Sequence, residues 1–474
     1  MSESRANSEA SSVRPGLDLL LDLRGIHRRS GVEDALREAV HSGRLAAGTL
    51  LPSSRVLAAE LGIARNTVAD AYGQLVAEGW LAARQGSGTR VGTRTPSRYS
   101  EPSRTPVESV RLRFNLSPGA PDFAGFPRTG WQRAARQAMT AAPNELLGYP
   151  DPRGAIVLRQ TLADYLARVR GVRTSAEQIV ICSGFVQALN LLATVLHTNG
   201  ARTMAVESHG LGLHREVIRA AGPGTRSLPI DENGARTDQL ADVEAVLLTP
   251  AHQFPLGVAL SAQRRAIALR WARERGGLVI EDDYDGEFRY DRKPVGALQG
   301  LAPDLVAYIG TASKSLVPAL GLAWLVVPAH LLDAVVRAKR LSDGFTGVFE
   351  QLTLAEFIGS GAYDRHVRRS RLRYRRRRDL LLDMLEHRGP AAGLTKVTGI
   401  AAGLHAVVEL RDRRAADEPA IITRAARAGL SLMGLNTFRE AGDPDAPAAL
   451  VIGYARPPDH AFTGALEALS AILP

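Results

Sequence analysis

Lysine is scarce in this chain, occurring only at Lys293, Lys314, Lys339 and Lys396. Any chemistry that needs a lysine amine therefore has few candidates. Lys314 stands in Tyr308-Ile309-Gly310-Thr311-Ala312-Ser313-Lys314-Ser315, just past an apolar run, where doubly wound sheets place their ligands. By contrast, Lys293, Lys339 and Lys396 read as residues of charged or loop-like surroundings. An amine in the Lys314 position can condense with an aldehyde. A second group, Glu281-Asp282-Asp283-Tyr284-Asp285, ends the apolar run Leu278–Ile280. There Asp282 can pair with a protonated ring nitrogen and Tyr284 can bond a phenolic oxygen, although a metal site or a solvated loop reads the same acids equally well. A third group, Ser183-Gly184-Phe185-Val186-Gln187, opens a helix straight after a strand. Its backbone N–H groups and dipole can cradle a phosphate, or it is an ordinary strand-to-helix turn. Pyridoxal 5′-phosphate (PLP) carries an aldehyde, a ring nitrogen and a phosphate, and the three groups are candidates for each of these in turn.

Such groups need a sheet to carry them, and the text beyond residue 113 supplies one. The short apolar runs Ile179–Cys182, Thr203–Val206, Ala245–Leu248, Leu278–Glu281, Leu305–Ile309 and Leu322–Val327 alternate with amphipathic stretches. Buried strands alternating with helices predict an α/β body with a mostly parallel, doubly wound sheet. From about Ala401, the strand-like pieces His405–Leu410 and Leu450–Tyr454 suggest a smaller α+β lobe.

The text before residue 93 is different. Val32, Leu36, Ala39 and Val40 recur at helical spacing and stop near Gly43; Pro52-Ser53-Ser54 then caps a short helix holding Leu57, Ala58 and Leu61. Gly62-Ile63 turns the chain into Val68, Ala71, Tyr72 and Leu75, which completes a helix-turn-helix, and Arg84 to Val91 reads as a glycine-tipped hairpin, a wing. The second helix of such a unit puts its first residues into the major groove of DNA. Those residues are Arg65, Asn66 and Thr67: arginine can bond guanine bidentately, asparagine adenine, and Thr67 can cap the helix or reach a phosphate. Arg55 is placed for the backbone or a base edge, and Arg84 and Arg90 for phosphates or the minor groove. Taken alone, these could equally be solvated arginines of a small helical domain.

Composition narrows the class. A chain of 474 residues exceeds one ordinary core at ~150 residues per domain. The longest apolar region, Leu320 to Val336, is broken by Pro328, His330 and Asp333, and Met1 to Gly16 has no apolar centre, so neither a membrane span nor a secretory signal is expected. One cysteine, Cys182, excludes an intrachain disulfide or a cysteine cluster for a metal and fits a cytoplasmic protein. A formal charge of +10 favours a polyanionic partner. The expected divisions are a disordered tail over 1–18, a winged helix-turn-helix over 19–92, a Thr-, Pro-, Ser- and Arg-rich linker over 93–112, and the body over 113–474.

The run from Pro52 to Leu81, with Arg55, Leu57-Ala58, Leu61-Gly62-Ile63, Arg65-Asn66-Thr67-Val68, Ala71-Tyr72 and Glu78-Gly79-Trp80-Leu81, resembles the GntR family of winged helix-turn-helix proteins. Glu281-Asp282-Asp283-Tyr284-Asp285-x-Glu287-Phe288-x-Tyr290, followed about thirty residues later by Lys314, resembles the MocR (GabR-type) family. There a GntR-like head is fused to a body with the fold of type I aminotransferases, and together the two resemblances span nearly the whole chain.

The resemblance implies a PLP-dependent transcriptional regulator, homodimeric, that binds double-stranded operator DNA and senses PLP itself or an amino compound. It implies that Lys314 condenses with the cofactor, Asp282 meets the ring nitrogen and Tyr284 the phenolic oxygen, with Ser183, Gly184 and Phe185 at the phosphate. It further implies that Tyr149, in Leu147-Gly148-Tyr149-x-Asp151-Pro152-x-Gly154, reaches the phosphate in the neighbouring subunit. His252, in Thr249-Pro250-Ala251-His252-Gln253-Phe254-Pro255, is implied beneath the cofactor, or else is a packed or surface histidine. Three departures stand out. Gly321 replaces an arginine that contacts the cofactor phosphate, Leu211 replaces an aromatic near the ring, and Val451 falls where aminotransferases place the arginine that grips a substrate carboxylate. Arg439 and Arg456 are the candidate substitutes for the last. The rival readings are a working aminotransferase with a DNA-binding head, and a cofactor-free dimeric DNA-binding protein. The arginine run from Arg365 to Arg378 is read either as a solvated helix or as a contact to DNA phosphates.

Overall fold

Why the head folds as it does is visible in its glycines and caps. In a computed structural model that describes residues 28–84, 87–92, 112–240, 242–290, 295–388, 393–441 and 443–473, the first helix, Arg29–His41, buries Val32, Leu36, Ala39 and Val40 and ends before Gly43 at φ +78°. The expected tail 1–18, the linker residues 93–111, the wing tip 85–86 and Lys293 lie outside the described residues. Ser53 accepts a hydrogen bond from Val56 N and opens Ser54–Leu61; Gly62, at φ +66°, closes it. Arg65–Ala77 follows, and Leu81–Arg84 pairs antiparallel with Gly88–Val91. These pieces share one apolar core, and Arg37 donates to both carboxylate oxygens of Glu78 at 3.0 and 2.9 Å, joining the first helix to the end of the third. One expectation is corrected here. Thr67 does not cap its helix, because Ala64 occupies the cap position and no side chain bonds the free N–H groups there.

Residues Met1–Glu108 and Ser109–Pro474 form two separate units. The second unit is built on a seven-stranded sheet. From edge to edge its strands are Ile179–Cys182, Ala323–Val326, Val306–Thr311, Leu278–Asp283, Ala245–Leu248, Thr203–Glu207 and Gly224–Leu228. Ala323–Val326 runs antiparallel to both neighbours and the other four pairings are parallel. Most of these strands are buried on both faces, which is why they read as unbroken apolar runs. Three of them run past the expected ends, Thr203–Glu207 by one residue. Leu278–Asp283 carries Asp282 and Asp283 inside the sheet, paired with Ile309 and Gly310, and Val306 continues to Thr311. A four-stranded antiparallel sheet (Thr395–Thr398, Ala406–Arg414, Pro447–Ile452, Met433–Gly434), with the Glu418–Arg427 and Asp459–Ile472 helices, forms the smaller lobe around its own core. No helix among the described residues is long and apolar enough to cross a membrane.

Candidate functional site

The carboxyl ends of the central strands open onto a cavity of about 550 Å³. Ser183, Gly184, Phe185, Asp282, Tyr284 and Lys314 all line it, although they come from three separate stretches of the chain. Lys314 sits three residues past the Val306–Thr311 strand and donates to Gly119 O at 2.6 Å. Burial holds its pKa below the ordinary lysine range, against the opposing pull of Asp282 and Asp285. A larger fraction of neutral, nucleophilic amine follows.

Asp282 is buried, and its Oδ1 has no hydrogen-bond partner. Burial raises its pKa well above the carboxylate range, with Lys314 opposing. An orphaned buried carboxyl oxygen costs stability until a donor reaches it, so this side of the cavity fits a ligand that brings an N–H. Tyr284 stands beside it, its hydroxyl 3.1 Å from His252 Nδ1, which lies 2.8 Å from Asp285 Oδ2. His252 is buried and is not among the lining residues; it holds Tyr284 from behind. The crowding is tight enough to require glycine at 403, where a Cβ would lie 2.1 Å from His252 Cε1 and 2.7 Å from Asp285 Oδ2 and where φ is +76°.

The Phe185–Thr198 helix points its N-terminus into the cavity from the end of the Ile179–Cys182 strand. Ser183 N donates to Gln187 Oε1 at 2.9 Å, and Gln187 Nε2 donates to Asp343 Oδ2 at 2.8 Å. Asp343 in turn takes Lys339 Nζ at 2.7 and 2.6 Å, and Nζ also meets Thr346 Oγ1 at 3.0 Å. This corrects the reading of Lys339: it is fully buried in the Leu332–Ser342 helix, and its charge is matched by the aspartate one turn later. The loop that opens the Phe185–Thr198 helix is thereby anchored to the Lys339–Asp343 ion pair.

The missing arginines can now be placed. Gly321 has φ +57°, and a Cβ there would lie 3.4 Å from Ser183 O, so a side chain at this position would start at the cradle. None does, and the basic lining residues are Lys314, His209 and His214. Val451 is buried with Val407, Leu435, Phe438 and Ala449, against Phe254 and Met433, which themselves line the cavity. The wall behind Phe254 and Met433 is therefore apolar. Arg439 donates to His209 Nε2 at 3.1 Å and reaches the cavity only through that ring; Arg456 is not among the lining residues. Tyr149 is 97% exposed, edge-on to Phe345 at 6.3 Å, and is not brought to the cavity of its own chain.

Glu207 and His214 are among the lining residues to which sequence reasoning assigned no role. Glu207 accepts from Thr249 Oγ1 at 2.5 Å and from Gln253 Nε2 at 3.1 Å, and burial pushes its carboxyl up to about 7. His214 packs its ring 4.5 Å from that of Phe185. Nothing local marks it, since Phe185 is far away in sequence. Burial pushes His214 down to about 4 and His405 to about 3. Both are then neutral in the folded protein while their unfolded forms titrate near 6.5, so the unfolded chain binds more protons below that pH. The contribution of these two histidines to stability is expected to be full above pH 6.5 and to be lost as pH drops toward 4, by up to about 1.4 kcal/mol per pH unit for each, against the opposite contribution of Glu207, whose carboxyl is raised to about 7. Urea titrations of the parent, His214→Gln and His405→Gln between these limits check this; equal slopes for all three would refute it.

In the head, Arg55, Arg65 and Asn66 are exposed and Thr67 is half-buried. Arg84 is exposed at the end of its strand, and Arg90 Nη1 donates to Gly48 O at 3.1 Å. Among the described residues no cluster of His, Cys, Asp and Glu could hold a metal ion.

Comparison with known proteins agrees with this geometry. The family described as bacterial regulatory proteins, gntR family, matches residues 28–91, and aminotransferase class I and II matches residues 113–424. The chain is 33% identical over 428 residues, 89% of its length and 90% of the relative's, to the HTH-type pyridoxine biosynthesis transcriptional regulator PdxR of Corynebacterium glutamicum. It is 31% identical over 380 residues, 75% of its length and 76% of the relative's, to the probable rhizopine catabolism regulatory protein MocR of Rhizobium meliloti. A crystal structure of Pyrococcus horikoshii kynurenine aminotransferase superimposes with a TM-score of 0.67 at 25% identity, covering 77% of this chain and 91% of that one.

Proposed function

The chain belongs to the MocR family of transcriptional regulators, a gntR-type head joined to an aminotransferase-class body, and we propose that its cavity holds PLP on Lys314 and that occupancy alters the affinity of the heads for operator DNA. The observation that carries this is the meeting of Lys314 and the orphaned Asp282 Oδ1 in one cavity closed by a helix N-terminus. When bound, PLP supplies an aldehyde that joins the lysine amine and a ring that withdraws electrons from that carbon. The chain's own residues do the rest. Lys314 presents an amine that burial holds below the ordinary lysine range, Asp282 holds the ring-nitrogen proton, Tyr284 donates toward the phenolic oxygen with His252 beside its hydroxyl, and the N–H groups of Gly184 and Phe185 receive the phosphate next to Ser183, whose own N–H is held by Gln187.

Two features favour PLP itself over an α-amino acid as the signal. Val451 leaves the carboxylate side apolar, and the relative named for pyridoxine biosynthesis covers almost the whole chain. A homodimer fits the large apolar side chains that Leu147, Tyr149, Phe345 and Phe349 leave exposed, and Tyr149 would reach the partner's phosphate from that face.

Selection of duplexes from a random pool tests the head. The parent is expected to enrich a sequence with two related half-sites, and Arg65→Ala to cost about 1–3 kcal/mol while relaxing the choice at one base position. On the enriched duplex, adding PLP is expected to change affinity by about fivefold or more, with no change in Lys314→Ala. Equal affinity of the parent with and without PLP and amino compounds would exclude the sensor reading and leave a regulator whose body only dimerises.

A further inference from the structure

The arginines of the Ala362–Asp383 helix fall into two sets. Arg377 is buried and donates to Ala455 O at 2.9 Å and Asp122 Oδ2 at 3.1 Å, and Arg371 Nε donates to Glu287 O at 2.9 Å. These tie the helix to the body. Arg368, Arg369, Arg375 and Arg376 are exposed and make no hydrogen bond or ion pair to another described residue. Arg365 and Arg369 also share a cleft of about 520 Å³ with Arg128 and Arg133 of the Arg128–Ala141 helix, where the acidic lining residue is Glu356 alone among those described.

Charge is placed unevenly between the units. The Ala362–Asp383 helix carries nine arginines against three aspartates, whereas residues 28–91 carry eight arginines against six acids. Phosphate neutralisation supplies essentially all of the sequence-independent affinity for DNA, and the head has little excess charge to offer it. We propose that this arginine face of the body is a second nucleic-acid surface, which takes the phosphate backbone of duplex DNA outside the stretch read by the head. The inference rests on the DNA-binding reading above.

Charge complementarity selects the occupant. A pocket for a small phosphorylated compound needs donors fixed by second partners, and these guanidinium groups have none. They are spread instead along a helix: Arg368 to Arg376 spans ~12 Å at 1.5 Å per residue, and a duplex offers a charge every ~1.7 Å of its axis. Exposed arginines on such a span meet several phosphates without reading a base.

The test uses the full chain loaded with PLP and a labelled random duplex of ~60 base pairs, long enough to engage both surfaces, with affinity followed between about 50 and 200 mM salt. The body variant is Arg368→Gln/Arg369→Gln/Arg375→Gln/Arg376→Gln, all at exposed positions. The head variant is Arg55→Gln/Arg65→Gln. The body variant is expected to bind at least about tenfold more weakly at low salt, with the log–log salt slope shallower by roughly 2 or more, at about 0.9 per lost phosphate contact. If the parent binds and the head variant loses that binding while the body variant keeps both affinity and slope, the inference is overturned and the DNA-binding reading survives. A parent that binds no duplex overturns both. Unchanged DNA binding by the body variant, together with stabilisation of the parent but not the variant by millimolar inorganic phosphate, assigns the face to a small anion and likewise overturns the inference.

Discussion

Lys314→Ala is expected to abolish the visible absorption band that the parent develops on addition of PLP, and with it the mass adduct that borohydride reduction would leave on the peptide containing residue 314. The basis is chemical scarcity as much as geometry. Of the four lysines, Lys339 is buried against Asp343, Lys396 lies at the surface near Glu409 at 3.6 Å, and only Lys314 among those described lines the cavity. No other described amine can take over. Removing a buried cation that burial already disfavours should cost the fold little, so a urea midpoint close to the parent's separates lost chemistry from lost structure. Asp282→Ala should keep the adduct but weaken PLP binding by about tenfold or more, because one charge-assisted hydrogen bond is worth about 1.5–3 kcal/mol. A parent that forms no band, or an alanine variant that still forms an adduct, would remove the sensor chemistry from this site. The lowered pKa of Lys314 also sets a direction in pH: adduct formation needs the free amine, so it should strengthen as pH rises through that lowered value and begin below the range of an ordinary lysine.

What could be read in advance follows from how local each signal is. The head is legible because its caps, its glycine turn and its apolar spacing lie within a few residues of what they control: Ser53 caps the helix it precedes and Gly62 ends it. The sheet is legible for another reason, since strands covered on both faces must be apolar throughout. Failures occur where a polar residue is buried by partners distant in sequence. Asp282 and Asp283 read as a loop because two adjacent acids rarely sit in a central strand; Asp283 can do so because Arg170 and Tyr308 meet it there. Lys339 reads as a residue of a charged stretch because its aspartate is nearby in sequence, but Thr346, which also meets its amine, is itself held by Ile181 O from a distant strand. His214 has no local mark at all. Gly321 and Val451 were visible only as departures from a pattern, and their consequence, a cradle with no arginine and an apolar wall, needed the cavity to be seen.

Arg170→Met tests how far the active carboxylates depend on this distant pairing, and it is expected to be the most destabilising single substitution considered. The guanidinium holds Asp283 with both arms, Nε to Oδ2 at 2.6 Å and Nη2 to Oδ1 at 2.9 Å, and donates through Nη1 to Gly286 O and Val295 O at 3.3 and 3.1 Å. Tyr308 OH completes the carboxylate at 2.7 Å. Both charged side chains are almost wholly buried, at 5% and 2% exposure. Removing one partner strands the other in a medium that cannot solvate it, with Glu281 and Asp282 adjacent in the same strand, so a loss of about 3–5 kcal/mol is expected in urea unfolding of the body. Replacing the pair together, Arg170→Met with Asp283→Leu, should recover most of that loss, because the penalty belongs to the unpaired charge more than to the missing attraction. The two variants also separate scaffold from site. If the strand owes its path to the pair, Arg170→Met weakens PLP binding through displaced Asp282 and the double variant restores it. A loss under about 1 kcal/mol for Arg170→Met would mean that water reaches Asp283, and the account of why two acids can sit side by side in this strand would fail.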